Sequence, residues 1–217
     1  TGEKDPFALR RHALGVLRML IEKALPVSLN TLIDAAWEAE KAVPGVTDHR
    51  EELRQFFQDR LRVMLRDAGY TTLEVDAALN PEKLDELPKR LAAVRAFMAL
   101  PEAEALTAAN KRIGNILKKI EGEVPTVVNE ALLAEDAEKQ LFAAINDVEP
   151  KALQHFAAGE YEQMLATLAV LRGPVDSFFD NVMVNAEDPA LRATRQALLK
   201  RLYDVMNKVA EIARLAK

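Results

Sequence analysis

Apolar residues return every three or four positions along almost the whole chain, and isolated prolines, not polar tracts, interrupt them. That spacing lays a stripe down one side of an α-helix, since 3.6 residues complete a turn. Phe7, Leu14, Leu17, Ile21 and Leu25 make the first stripe, which Pro26 ends. Asp5-Pro6 reads as a cap followed by proline at the first helical position, and Asp188-Pro189 repeats it. Ser28 is placed to cap a second helix, ending at Pro44-Gly45. Asp48 with Glu51, and Thr71 with Glu74, carry capping-box spacing ahead of a third and a fourth. Glu102 to Ile120 predicts another helix, with Leu106, Ile113, Ile116, Leu117 and Ile120 inward. Asn129 is expected to cap a long stretch that Pro150 interrupts, and Gly159 and the Gly173-Pro174 pair to bracket a shorter one. A last helix is expected to carry Leu191, Leu198, Leu202, Val205, Val209 and Ile212. Nowhere do four or more residues alternate in the manner of a strand, so the fold class is all-α, built as multi-helix bundles.

The chain has 217 residues and is 49% hydrophobic, enough for one large or two small packed domains. Prolines and charges cluster between Asn80 and Pro88, which places a domain boundary there: 1–86 and 87–217. With no cysteine, disulfides, thiolate zinc sites and cysteine nucleophiles are excluded, and a reducing cytosol fits. No apolar run approaches bilayer length, so no membrane role is expected. The first residue is Thr1, and the sequence reads as a piece of a longer protein.

Catalytic chemistry finds no foothold. No two glycines sit close enough for a phosphate loop, and His12, His49 and His155 lack metal-ligand spacing. Ser28 and Ser177 have no adjacent base. The acidic pairs Glu51-Glu52 and Glu187-Asp188 sit at helix starts, where the helix dipole accounts for them. No catalytic residue, metal site or bound cofactor is expected within this stretch.

The net charge of −5 argues against a general nucleic-acid coat, so the distribution of charge matters more than its sum. Three basic clusters stand out: Arg10, Arg11, Arg18 and Lys23; Lys111, Arg112, Lys118 and Lys119; and Arg192, Arg195, Lys200 and Arg201. The second and third hold no acid between Asn110 and Lys119 or between Pro189 and Arg201. Such clusters suit phosphate contacts, which release counterions on neutralisation. They equally suit a solvated helix face or a protein partner. Of the tight aromatic pairs, Phe56-Phe57 and Phe178-Phe179, one ring each is expected in the core.

Three strings go further. They are Asp5-Pro6-Phe7-Ala8-Leu9-Arg10-Arg11 with Ala13 to Arg18; Ala108-Ala109-Asn110-Lys111-Arg112-Ile113-Gly114-Asn115-Ile116-Leu117; and Phe178-Phe179-Asp180-Asn181-Val182-Met183-Val184, followed by Glu187-Asp188, Leu191-Arg192 and Arg195. In identity, order and spacing they resemble the bacterial glycyl-tRNA synthetase beta subunit across nearly the whole chain. His12, Asn185, Thr194 and Gln196 depart from that family's pattern. The resemblance implies the C-terminal part of a subunit in a heterotetramer of two alpha and two beta chains. Residues 1–86 would be the end of an HD-like region with connecting helices, and 87–217 a DALR-type anticodon-binding bundle. Glycine, ATP and Mg would be handled by the alpha subunit, in the cytoplasm, while this part binds glycine tRNA. On that footing Lys111, Arg112, Lys118, Arg192 and Arg195 are expected at phosphates, Asn115 and Asn185 at base edges, and Phe178 on a base. The glycine anticodon ends in two cytosines, so the readers need groups complementary to cytosine. The rival expectation is a helical subunit-interaction scaffold without RNA contact.

Overall fold

The computed structural model describes Asp5 and residues 7–216. Among them are ten α-helices, three short 3-10 turns and no strand, so the chain is all-α. They divide into two compact units, one through Leu91 and one from Ala92 onward.

The first unit holds α1 (Leu9–Glu22), α2 (Leu29–Glu40), α3 (Arg50–Asp67), α4 (Thr72–Ala78), a 3-10 turn at Leu84–Glu86 and the start of α5 (Leu87–Met98). Helices α1 and α2 each pack on α3, burying Leu17, Leu20, Ile33, Phe57, Leu61 and Leu65. Ser28 caps α2, accepting the Thr31 N–H at 3.0 Å. Thr71 and Glu74 close the expected box ahead of α4: Glu74 accepts the Thr71 N–H at 2.7 Å, and Thr71 accepts the Glu74 N–H at 3.2 Å.

Two helix starts differ from expectation. Helix α1 begins at Leu9, not beside Asp5, although the Asp5 carboxylate still accepts the Leu9 and Arg10 N–H groups, at 2.8 and 3.1 Å. Pro6, expected at the first helical position, lies outside the described residues. The Asp48–Glu51 box ahead of α3 does not close: His49 holds the N-cap position, and the Asp48 carboxylate accepts the Arg50 N–H at 3.1 Å together with the Arg50 side chain. That guanidinium, with the Arg50 N–H, holds the Asp48 carboxyl down to about 2.

The second unit holds the rest of α5, then α6 (Ala103–Leu117), a 3-10 turn at Glu130–Leu132, α7 (Asp136–Ala157), α8 (Tyr161–Ala169), α9 (Arg172–Asn181), α10 (Pro189–Met206) and a 3-10 turn at Ile212–Leu215. Helix α7 packs against α8, α9 and α10, and α6 against α9, α10 and the final turn. Leu106, Ile113, Leu141, Ile145, Met164, Phe178, Leu198 and Leu202 fill the core between them.

Asn129 caps only the 3-10 turn, and the long helix starts at Asp136, where Glu135 and Glu138 form the capping box. Pro150 does not interrupt α7. Its ring is exposed, while Leu141, Ile145, Val148 and Ala152 are buried along the inner stripe. An interior proline costs roughly 3 kcal/mol; burying four such side chains, at roughly 1 to 3 kcal/mol for each large one, exceeds that. Helix α10 stops at Met206, short of Val209 and Ile212. The Asn207 side chain takes over there, donating to the Tyr203 carbonyl at 2.8 Å and accepting the Ile212 N–H at 3.1 Å. The chain turns, and Val209 and Ile212 are buried off the helix.

Candidate nucleic-acid interface

The outward face of α6 repeats at Ala108, Lys111, Arg112, Asn115 and Ile116, the spacing that keeps side chains on one side of a helix, and Lys119 follows in the turn beyond its C-cap. Opposite it runs the first half of α10, opened by Asp188, which accepts the Ala190 and Leu191 N–H groups at 2.7 and 3.2 Å. Between them lies a cleft of about 840 Å³. Lys111, Arg112 and Asn115 line it from α6, Lys119 from the turn just after that helix, and Pro189, Arg192, Ala193 and Gln196 from α10. Asn185 closes one part from the loop before α10. Glu121, Glu123 and Pro125 close another from the loop after α6.

The acid-free segments 110–119 and 189–201 therefore face a common space. Four cations and two carboxylates line it, and no hydrogen bond or ion pair ties the side chains of Lys111, Lys119, Glu121 or Glu123 to another described residue. Arg192 donates to the Ala186 carbonyl at 3.1 Å and keeps its remaining donors toward the cleft. The contrast with the rest of α10 is sharp. Lys200 is matched to Asp204 at 2.5 Å, and Arg201 to Glu149 at 2.6 Å and Asn146 at 2.7 Å.

Of the residues expected to meet RNA, the structure brings Lys111, Arg112, Asn115, Asn185 and Arg192 into this cleft. Lys118 is exposed at the C-cap of α6 but lies outside the lining. Two expectations need correction. Phe178 is 0% exposed, so no face of its ring is left for a base. Arg195 is 5% exposed and paired with Glu138, itself 0% exposed. Glu138 also accepts the Ala134 and Glu135 N–H groups, each at 2.8 Å, while Arg195 donates to the Met183 carbonyl at 2.7 Å. A guanidinium sealed in this way is unavailable to a phosphate. It instead ties the start of α7 to α10 and to the loop that carries Asn185.

Lys119, Gln196, Glu121 and Glu123 also line the cleft, beyond the residues that sequence reasoning assigns to RNA. Lys119 was legible, because it stands seven and eight positions beyond Arg112 and Lys111, where the helical repeat points even though α6 itself ends at Leu117. The loop acids were not, since where they point depends on the turn at Gly122, whose φ is +83°.

The first unit carries a separate groove of about 670 Å³, lined mainly by apolar side chains including Leu9, Val16, Trp37, Leu53 and Phe56. No helix among the described residues is long and apolar enough to cross a membrane.

Comparison with known proteins adds an independent line. Residues 1–80 match the family model described as glycyl-tRNA synthetase beta subunit, and residues 106–213 match the DALR anticodon binding domain. The glycine–tRNA ligase beta subunit of Leptothrix cholodnii is 60% identical over 218 residues, covering 100% of this chain and 30% of the relative. Those of Delftia acidovorans and Thiobacillus denitrificans are 55% and 54% identical, again over 100% of this chain and 31% of their own length. The chain thus spans less than a third of the curated relatives that it matches.

Proposed function

Since this chain belongs to the glycyl-tRNA synthetase beta subunit family, we propose that the cleft between α6 and α10 receives the anticodon arm of glycine tRNA. One observation carries the reading: Lys111, Arg112, Lys119 and Arg192, from the two acid-free segments, converge on a single space with no carboxylate paired to any of them. RNA backbone supplies the missing anions. Lys111, Lys119 and Arg192 neutralise phosphates, and the amides of Asn115, Asn185 and Gln196 hydrogen-bond base edges. Sequence-specific readers of single-stranded RNA work in this way, on bases splayed out of their stack. An amide offers both a donor and an acceptor, which the Watson–Crick edge of cytosine requires.

In this reading the chain supplies grip and discrimination and no bond-making group. Residues 1–86 are the end of an HD-like region with connecting helices, and residues from 87 the anticodon-binding bundle. The alpha subunit holds the site where glycine is activated with ATP and Mg, in a cytoplasmic heterotetramer of two alpha and two beta chains. Glycylation then depends on this cleft through the affinity and orientation of the tRNA.

The test is filter binding of glycine tRNA to the intact ligase across a salt series. Replacing Lys111 and Lys119 with Ala should weaken binding and reduce the salt slope by about 0.7 to 0.9 for each phosphate no longer neutralised. Unchanged affinity and slope would reject the cleft. The rival reading, a helical subunit-interaction scaffold, draws support from the apolar groove of the first unit. It predicts that exchanging the anticodon leaves affinity untouched, whereas the cleft reading predicts a drop.

A further inference from the structure

Arg112 differs from the other cations of the cleft in what lies beneath it. Its guanidinium carbon stands 4.2 Å from the centroid of the Phe179 ring. Arg50, Arg60 and Arg201 stand 5.6, 5.7 and 5.9 Å from the rings that they approach. The shorter distance puts the planar group over the face of the ring, because a cation at the rim would stand farther away. Phe179 is half-buried and is itself braced edge-on by Phe178, at 5.6 Å between centroids and 82° between planes. Phe178 is anchored in the core. A stack therefore rises from the interior to the cleft: buried ring, half-buried ring, exposed guanidinium.

The top of that stack is open. Arg112 is exposed and lines the cleft, and no carboxylate or carbonyl among the described residues holds its N–H groups. A guanidinium is weakly hydrated across its flat faces and stacks well on π systems. A freely swinging arginine follows a phosphate, but one held over a ring face is confined in position and can offer its own flat face to a base. Ile116, one turn along α6, adds apolar surface beside it, and Asn115 projects from the same face.

We propose that Arg112, backed by Phe179, is a stacking platform for one unpaired nucleobase of the bound RNA, and that Asn115 hydrogen-bonds the edge of that same base. The assignment rests on the reading of the cleft as an RNA site, and it changes the role of Arg112 from charge to shape. Neither lysine nor a mobile arginine could replace it, because the plane and its support are what the base uses.

The experiment takes the intact ligase and glycine tRNA transcripts carrying a single abasic nucleotide at each anticodon-loop position in turn. Arg112→Lys retains the charge and removes the plane, and Phe179→Leu removes the support. Arg112→Lys should weaken intact tRNA about ten- to a hundredfold, the range for removing one base-stacking platform, with the salt slope unchanged. The penalty should vanish for one abasic transcript and persist for the rest. Phe179→Leu should give the same pattern at smaller amplitude. The platform is overturned if Arg112→Lys binds like the wild type, or if its penalty is equal on every abasic transcript. Lys111→Ala serves as the phosphate control. If it changes neither affinity nor salt slope, the cleft reading itself falls, and this inference with it.

Discussion

Arg192 and Arg195 stand three positions apart on α10, yet one faces the cleft and the other is sealed against Glu138. Sequence spacing puts them near one another, but burial of the partner decides their roles. Glu138 lies 57 positions upstream, on a different helix, and nothing local to Arg195 announces it. The same holds for Phe178 and Phe179: the pair was legible as one ring in, one ring out, but which ring was inward depended on how α9 rests on α6 and α7. The buried pair gives a clear expectation. Replacing Arg195 with Ala leaves a carboxylate enclosed without its cation, a change that costs about 3 to 5 kcal/mol. Urea unfolding of the full-length beta chain should show that deficit, and Arg192→Ala, whose side chain is half-buried and carries no ion pair, should stay within about 1 kcal/mol of the wild type. Equal stability of the two variants would return Arg195 to the surface.

At the scale of elements, most helices announced themselves through the physics of their ends. Ser28, the Thr71–Glu74 box and Asp188-Pro189 each satisfy orphan N–H groups where the pattern placed them. The Asp48–Glu51 box did not close because Arg50, two residues on, offered the Asp48 carboxylate both its N–H and a charged side chain. Pro150 failed as a break because the inner face of α7 outweighs one missing backbone bond. Local rules hold where nothing competes, and a neighbouring charge or a buried stripe overrides them. The floor of the cleft depends on one such tertiary fit, between α6 and α10. Gly114 is buried where a Cβ would come within 3.2 Å of the Tyr203 ring, so the absence of a side chain lets the two helices approach. Gly114→Leu should force them apart, costing about 1 to 3 kcal/mol by overpacking. Because Lys111, Arg112 and Asn115 ride on α6 and Arg192 on α10, the same variant should weaken tRNA binding while glycine activation without tRNA stays intact. ATP–pyrophosphate exchange beside filter binding separates the two effects. A fall in exchange equal to the fall in binding would mean that the substitution damages more than this helix pair.

For the whole chain, a net charge of −5 and a cationic cleft are complementary rather than contradictory. With 34 acidic residues against 29 basic ones, most of the surface repels polyanions, and an RNA gains only where cations outnumber acids. Within the cleft that local excess is tempered by Glu121 and Glu123. A carboxylate there opposes a phosphate yet accepts a hydrogen bond from the amino group of a correctly placed base, cytosine among them. In the proposed RNA site, affinity for any RNA would thereby be reduced, and what remains would be weighted toward bases that can repay the cost. It follows that replacing both acids with Gln should tighten binding of every tRNA, by about two- to fivefold per charge removed, since an exposed charge–charge interaction is worth up to about 1 kcal/mol. The gain should be larger for a tRNA with an exchanged anticodon than for glycine tRNA, so the double variant becomes a better binder and a poorer judge. Competition binding with the two tRNAs at one fixed salt concentration measures the ratio directly. If both gain equally, Glu121 and Glu123 act only through net charge, and discrimination must then come from the amides and the stacking platform alone.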